Sequence, residues 1–258
     1  MCIILVAWRT HRTYPLVVAA NRDEFFSRPT AAAAFWPEQP KILAGRDLGA
    51  GGTWLGLTRN GRFAALTNYR DPAGFRPDRP SRGQLVADFL AGDEGPEAWL
   101  RQAAARAGEF NGYNLLAGDR HTLAWFSNVT GQSRLLSPGI YGLSNDLLDT
   151  PWPKVAAAKS ALSSALASLP EDGQLFDLLR DDTIHPDEAL PRTGVSLEWE
   201  RLLSAAFVRA NGYGTRNSTV LTVDAQGIAT FDEQTWLEGG TPGARRRFRF
   251  RLEGNAPS

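Results

Sequence analysis

Cysteine is almost missing from this chain of 258 residues, which has one, at position 2. A single thiol excludes an internal disulfide framework and a multi-cysteine zinc site, and it suits a reducing compartment. Histidine is scarce too. His11, His121 and His185 are scattered without ligand spacing, so no metal site is expected. Lysine occurs only at Lys41, Lys154 and Lys159, and no function follows from that bias. Neither charge sign dominates: 28 Lys and Arg balance 28 Asp and Glu, so no net field favours nucleic acid or an anionic membrane. No apolar run approaches the ~20 residues of a membrane span, so no stable membrane insertion is expected. The start "MCIILVAWRTHR" carries its basic residues after the apolar run, the wrong order for a secretory signal. These absences lead to an expectation of a cytoplasmic protein, and the length fits a single domain over 1–258.

What is present is a succession of short apolar runs. "CIILVAW" is fully apolar and β-branched, the pattern of a strand buried on both faces, and "LVVAAN" is a second such strand across the turn "RTHRTYP". "GTWLGLT" and "RFAALTN" flank Asn60-Gly61, a hairpin signal. Leu85, Val86, Phe89 and Leu90 share a helical face, with Ser81 as expected N-cap and Gly92 as stop. A second helix is expected from Pro96 through "EAWLRQAAARA". Strands return at "YNLLAGD", "TLAWFSN" and "GIYGLSN", then helices at 155–169, "QLFDLLR" and "LEWERLLSAAF". "TRNSTVLTV", "GIATFDEQTW" and "RRFRFRLE" close the chain as strands. The last reads as an edge strand with arginines toward water, against a sharper reading as an RNA-binding strip. Apolar strands separated by helical blocks predict two sheets packed together with helices outside.

The first hairpin has a chemical consequence. A turn centred near His11 and Arg12 makes paired residue numbers sum to roughly 23, which sets Cys2 opposite Asn21 or Arg22. The cluster "NRDE" (Asn21, Arg22, Asp23, Glu24) therefore lies beside the thiol. A thiol has a pKa of ~8.5, and a neighbouring cation lowers it. Removal of Met1, usual before a small residue, would free the Cys2 α-amine, whose pKa of ~7.7–8.0 suits a general base. Cys2 would then supply nucleophile and base together, with Asp23 orienting the amine. The competing reading is a small buried hydrophobe.

Cys2, "NRDEF" (21–25), "GGTWLG" (51–56), "TNYRDP" (67–72), "GLSN" (142–145) and "YGTRNSTV" (213–220) together resemble the NRDE family, also called the Transport and Golgi organization 2 family. The resemblance spans nearly the whole chain. It implies the N-terminal nucleophile hydrolase-like fold, an α+β four-layer αββα sandwich of two mainly antiparallel sheets. By similarity to penicillin V acylases and bile salt hydrolases of that fold, Cys2 is the implied nucleophile, Asp23 the orienting carboxylate and Arg216 the late arginine. Asn145 is the implied side-chain oxyanion donor, and Asn68 lies where a backbone donor would be. Those enzymes carry an Arg three positions before the Asp, where this chain has Ala20.

Asn21, Arg22, Glu24, Gly52, Trp54 and Tyr69 are the expected substrate-binding residues. Plainer readings stand beside these roles. Asp23 and Arg216 could form a buried ion pair, and Asn68 and Asn145 could close turns. "GAGGTWLG" could cradle a phosphate or pack tightly beneath Trp54. Phe25, Phe26, Phe35, Trp36 and Phe75 could line an apolar mouth or belong to the core. The expected function is an N-terminal-cysteine hydrolase acting on an amide or thioester of a small acylated substrate, with no cofactor required. The alternative, which the resemblance also implies, is binding and trafficking of haem or an acyl-CoA or lipid metabolite in the same pocket. Either way the expected partner is a small acyl or haem-like molecule.

Overall fold

From Ile3 to Trp8 every residue is buried, as a strand in the middle of a layered protein must be. A computed structural model describes residues 2–254. Its strands, in chain order, are β1 (Cys2–Trp8), β2 (Leu16–Phe25), β3 (Thr30–Trp36), β4 (Gln39–Asp47), β5 (Leu55–Thr58), β6 (Phe63–Asn68) and β7 (Tyr113–Gly118). There follow β8 (Leu123–Ser127), β9 (Ser133–Leu135), β10 (Gly139–Leu143), β11 (Arg209–Ala210), β12 (Tyr213–Val223), β13 (Ile228–Leu237) and β14 (Thr241–Arg251). Helices are α1 (Gly83–Ala91), α2 (Pro96–Ala105), α3 (Pro153–Ala165), α4 (Gly173–Leu179) and α5 (Leu197–Leu202).

Among the described residues the strands form two seven-stranded antiparallel sheets. One runs β10-β1-β2-β12-β13-β14 with β11 paired to β12, and the other runs in sequence order from β3 to β9. Side-chain alternation then builds four layers. Even-numbered residues of β1 and β2 (Ile4, Val6, Val18, Ala20) meet Leu43, Leu57 and Phe63 between the sheets. Odd-numbered ones (Ile3, Leu5, Val17, Ala19) meet Val155, Leu162 and Leu179 of α3 and α4. On the far side, Leu85, Phe89 and Leu100 of α1 and α2 cover Ile42, Leu115 and Phe126. Burying each such side chain contributes about 1.5–3 kcal/mol. The expected αββα sandwich is therefore the fold. Among the described residues no helix is long and apolar enough to cross a membrane.

Several local expectations need correction. The hairpin of β3 and β4 was not anticipated, and it takes Trp36 into the core and packs Phe35 against Phe248 and Phe250. The strand expected from "GTWLGLT" begins only at Leu55. Arg82, not Ser81, is the cap residue of α1, and it makes no side-chain capping bond. Helix α5 stops at Leu202 instead of reaching Phe207, because the Phe207 N–H turns away to the Asp181 carbonyl (2.8 Å). Strand β14 is an edge strand as expected, yet Arg245 and Arg247 pair with the buried Asp232 (2.9 and 3.4 Å) and are not simply solvated. The question of Met1 removal lies outside the described residues.

One buried carboxyl ties the two sheets. Glu233 of β13 accepts the Ala33 N–H of β3 at 2.7 Å, and burial pushes its pKa up to about 7. A carboxyl whose pKa is higher folded than unfolded stabilises the fold at low pH, and that contribution is lost as pH rises from about 4.5 towards 7. Glu233→Gln, which retains the acceptor oxygen, should flatten this part of the profile. The change is on the order of 3 kcal/mol, read from urea midpoints measured at pH 4.5 to 7.5. An unchanged slope would show that Glu233 ionises normally.

Candidate active site

Cys2 sits at the first position of β1 and pairs directly with Arg22 of β2. The expected register gave Asn21 or Arg22, and the structure selects Arg22. That one-residue choice decides which face each neighbour takes. Cys2, Arg22 and Glu24 are on the inter-sheet side, while Asn21 and Asp23 point to the helix layer.

On the inter-sheet side the strand ends open into a cleft of about 100 Å³ lined by Cys2, Arg22, Glu24, Trp54, Asn68 and Arg82, among others. Cys2 is half-buried, and its sulfur accepts the Asp23 backbone N–H. Burial raises the thiol's pKa, and the Asp23 carboxylate adds to the rise against the nearby Arg22. The Cys2 carbonyl is held by the Ser144 hydroxyl (3.0 Å). Arg22 stacks its guanidinium 4.3 Å from the Trp54 ring centre and donates to the Thr30 hydroxyl at 3.2 Å. Trp54 can lie flat there because position 45 is glycine, where a Cβ would come within 2.3 Å of the indole. Gly45 therefore lies beneath Trp54, and not Gly51 or Gly52 as one expectation had it. A Cβ on Gly52 would come within 2.4 Å of the Gly83 backbone, so Gly52 serves the close approach to α1.

The other expected residues separate by location. Asn68 lines the cleft. The Asn145 side chain donates to the Asn68 carbonyl (2.9 Å), and the Asn145 carbonyl accepts the Arg70 N–H (2.8 Å), which straps the end of β10 to the end of β6. One Asn145 amide hydrogen remains beyond that bond. Asn21 is not a cleft residue. Its amide donates to the Leu179 and Ala206 carbonyls (2.7 and 2.8 Å) and accepts the Ser218 hydroxyl (2.6 Å), so it is consumed in holding α4 to the sheet. Tyr69 also stands outside the cleft lining, and its hydroxyl bonds Asp146. Arg216, at a bulge in β12, donates to the carbonyls of Phe25 (2.8 Å) and Arg28 (3.1 Å), so it braces the turn that carries Arg28 to the cleft. The aromatic mouth is not found, since Trp54 is the one aromatic residue among those lining this cleft.

Behind Cys2, on the helix side, lies a buried polar group that sequence reasoning missed. Asp23 Oδ1 accepts the Thr215 hydroxyl at 2.7 Å, and the Tyr213 hydroxyl donates to the Asp23 carbonyl at 3.2 Å. Burial raises the Asp23 pKa, opposed by positive charges that include Lys154 and Arg70. Lys154 is buried and donates to the Leu203 carbonyl (2.8 Å), and burial lowers its pKa to about 8. Arg70 and Glu200 form a buried ion pair at 2.7 Å, and Arg70 lies 4.8 Å from the Trp152 ring centre. Glu200 also accepts the Thr193 N–H and hydroxyl (2.8 and 2.7 Å). "PWPKV" gave one signal, a lysine at the start of an otherwise apolar helical stripe.

The family model for Transport and Golgi organisation 2 matches residues 1–238. The mouse Transport and Golgi organization 2 homolog is 38% identical, over 93% of this chain and 95% of its own. The human homolog is 37% identical, over 92% of this chain and 94% of its own. Among solved structures, the Caenorhabditis elegans ortholog of N-acylethanolamine-hydrolyzing acid amidase superposes with a TM-score of 0.50 at 11% identity, covering 85% of this chain and 92% of that one. That likeness is one of fold, the N-terminal nucleophile hydrolase-like sandwich.

Truncating one member of the rear ion pair should be costly. Glu200→Ala leaves Arg70 charged and enclosed, a loss of about 3–5 kcal/mol. Chemical denaturation should show it. Glu200→Gln, which keeps the Thr193 contacts, should cost less. Equal, small losses for both would mean that the pair contributes little.

Proposed function

The chain belongs to the Transport and Golgi organisation 2 family, and from that premise we propose that it is an N-terminal-cysteine hydrolase of an amide or thioester. The observation that carries this reading is the position of Cys2. It heads β1 at the mouth of a cleft, its sulfur on the Asp23 amide and its backbone beside the Asp23 carboxylate strand. Met1 must leave for the chemistry to work. With Met1 attached, the Cys2 nitrogen is an amide and accepts no proton near neutrality.

Once the α-amine is free, it takes the thiol proton as the sulfur attacks the carbonyl carbon. The oxyanion that forms is met by a backbone N–H in the Asn68 region, where Asn145, itself outside the cleft lining, holds the Asn68 carbonyl in place. Each such donor is typically worth about 2.7–4 kcal/mol of barrier. Collapse breaks the bond to the departing nitrogen or sulfur, which takes the proton back from the ammonium. Water then hydrolyses the acyl-enzyme by the same relay in reverse roles. Asp23 keeps the amine oriented, and Arg70 and Lys154 behind it favour its charged form against the burial that raises its pKa. Carriage of haem or an acyl-CoA is the alternative. A cleft of about 100 Å³ with a single aromatic wall favours the reacting end of a small acyl group over an enclosed macrocycle.

Intact mass should therefore show active protein beginning at Cys2, turning over short N-acyl amides or thioesters. Cys2→Ala should abolish turnover with little loss of stability. Asp23→Asn should slow it by roughly 10²–10⁴, the range of a misoriented general base. Thiol labelling at pH 7 should be slow while Met1 is attached, because burial raises the thiol's pKa, and faster once the chain starts at Cys2. Full activity with Met1 retained, or with Cys2→Ala, would sink this reading.

A further inference from the structure

Three guanidinium groups line the cleft, and the carboxylates divide unequally among them. Arg28 is clamped by Asp47, through Nε at 2.8 Å and Nη2 at 2.7 Å. Arg22 has the Thr30 hydroxyl, the Trp54 face and Glu24 at 3.8 Å. Arg82 has one hydrogen bond, from Nη1 to the Gly112 carbonyl at 3.1 Å. Among the described residues its Nε and Nη2 donate to nothing, and no carboxylate comes within ion-pair distance. The side chain is partly buried, and neither atom is fully enclosed, so a molecule in the cleft can reach both. Burial and Arg28 both disfavour its charge, while Glu24 and the Cys2 thiol favour it. A planar fork of two donors facing the cleft is the shape that a carboxylate fits.

We infer that Arg82 is a specificity-determining residue that receives a carboxylate borne by the acyl substrate, a few bonds from the carbonyl that Cys2 attacks. The inference rests on the hydrolase reading for the word substrate, but the binding it predicts needs no turnover. Arg82 and Cys2 line the same small cleft, so a molecule presenting its carbonyl to the sulfur brings a nearby group to Arg82. Arg28 and Arg22 are left to hold the cleft's own acidic groups, Asp47 and Glu24, away from that position. A neutral or cationic group would leave the two Arg82 donors unmatched. The substrate class is thus an acylated compound with an acid group, of the N-acyl amino acid type, in preference to an N-acyl amino alcohol.

Binding to the Cys2→Ala protein separates this inference from the hydrolase reading. Calorimetry with N-hexanoylglycine and N-hexanoylethanolamine, matched in acyl length, should show the anion bound at least tenfold tighter. Arg82→Gln should remove that preference while leaving the affinity for the neutral compound unchanged. Arg82→Lys should keep the charge and restore part of it. Equal affinities, or an anion preference that survives Arg82→Gln, would overturn the inference. Turnover by protein beginning at Cys2 is measured in parallel. Its absence counts against the hydrolase reading alone, because the binding preference in the Cys2→Ala protein is decided without it.

Discussion

The register of the first hairpin is the constraint on which the site depends. Cys2 opposite Arg22 means that even positions of both strands face the second sheet and odd positions face α3 and α4. Shifting the pairing by one residue would send Asn21 and Asp23 into the cleft and Arg22 among the helices. The register is held on both sides. The apolar alternation of β1 and β2 matches two different cores, and β12 continues the pairing with Ser218 opposite Asn21 and Thr215 opposite Asp23. The arrangement of the Cys2 cleft is thus an output of core packing many residues away.

From this parity comes a division of work within one tetrapeptide. Asn21 fastens a helix, Arg22 builds the cleft wall on Trp54, Asp23 meets the buried polar group, and Glu24 balances the arginines of the cleft. The rear polar group is expensive, since Arg70, Glu200 and Lys154 are all removed from water. Its partners offset part of that cost. Glu200 receives three hydrogen bonds, and Lys154 donates to a helix-end carbonyl. An apolar filling of similar volume would be simpler to fold.

Much of this was legible in the sequence, for identifiable reasons. The hairpin could be read because a turn of known length joins two unbroken apolar runs, and pairing follows from arithmetic. The layered fold followed from strand-like runs separated by helical blocks, and its name from motifs in order. The β3–β4 hairpin was missed because "TAAAAFW" is alanine-rich and its partner begins at "QPK", so neither shows a clean alternation of strand type. Asn21, Tyr69 and Arg216 sit in the motifs, but motif membership does not tell which face a side chain takes. Only the register and the bulge at Arg216 do that. "PWPKV" put Lys154 at a helix start but could not show its burial, which depends on what packs over it, here the carbonyl of Leu203. Arg82 carried no signal in the sequence, because nothing there tells which cleft its side chain lines.

The two faces meet at the backbone of Cys2, and under the proposed mechanism that junction couples the rear charges to a thiol they do not touch. In the proposed mechanism the freed α-amine lies at the sheet edge between the cleft and the rear group. Burial and nearby cations lower an amine's pKa, and a nearby carboxylate raises it. An isolated Asp23 carboxylate would hold the amine protonated and useless as a base. With Arg70 and Lys154 drawing on the same carboxylate, its hold on the amine is weakened. Arg70 is in turn shared with Glu200, which limits how far it competes. In that mechanism the amine's readiness to take a proton would be set by a balance of opposite charges across the helix layer, and not by any single partner of Cys2.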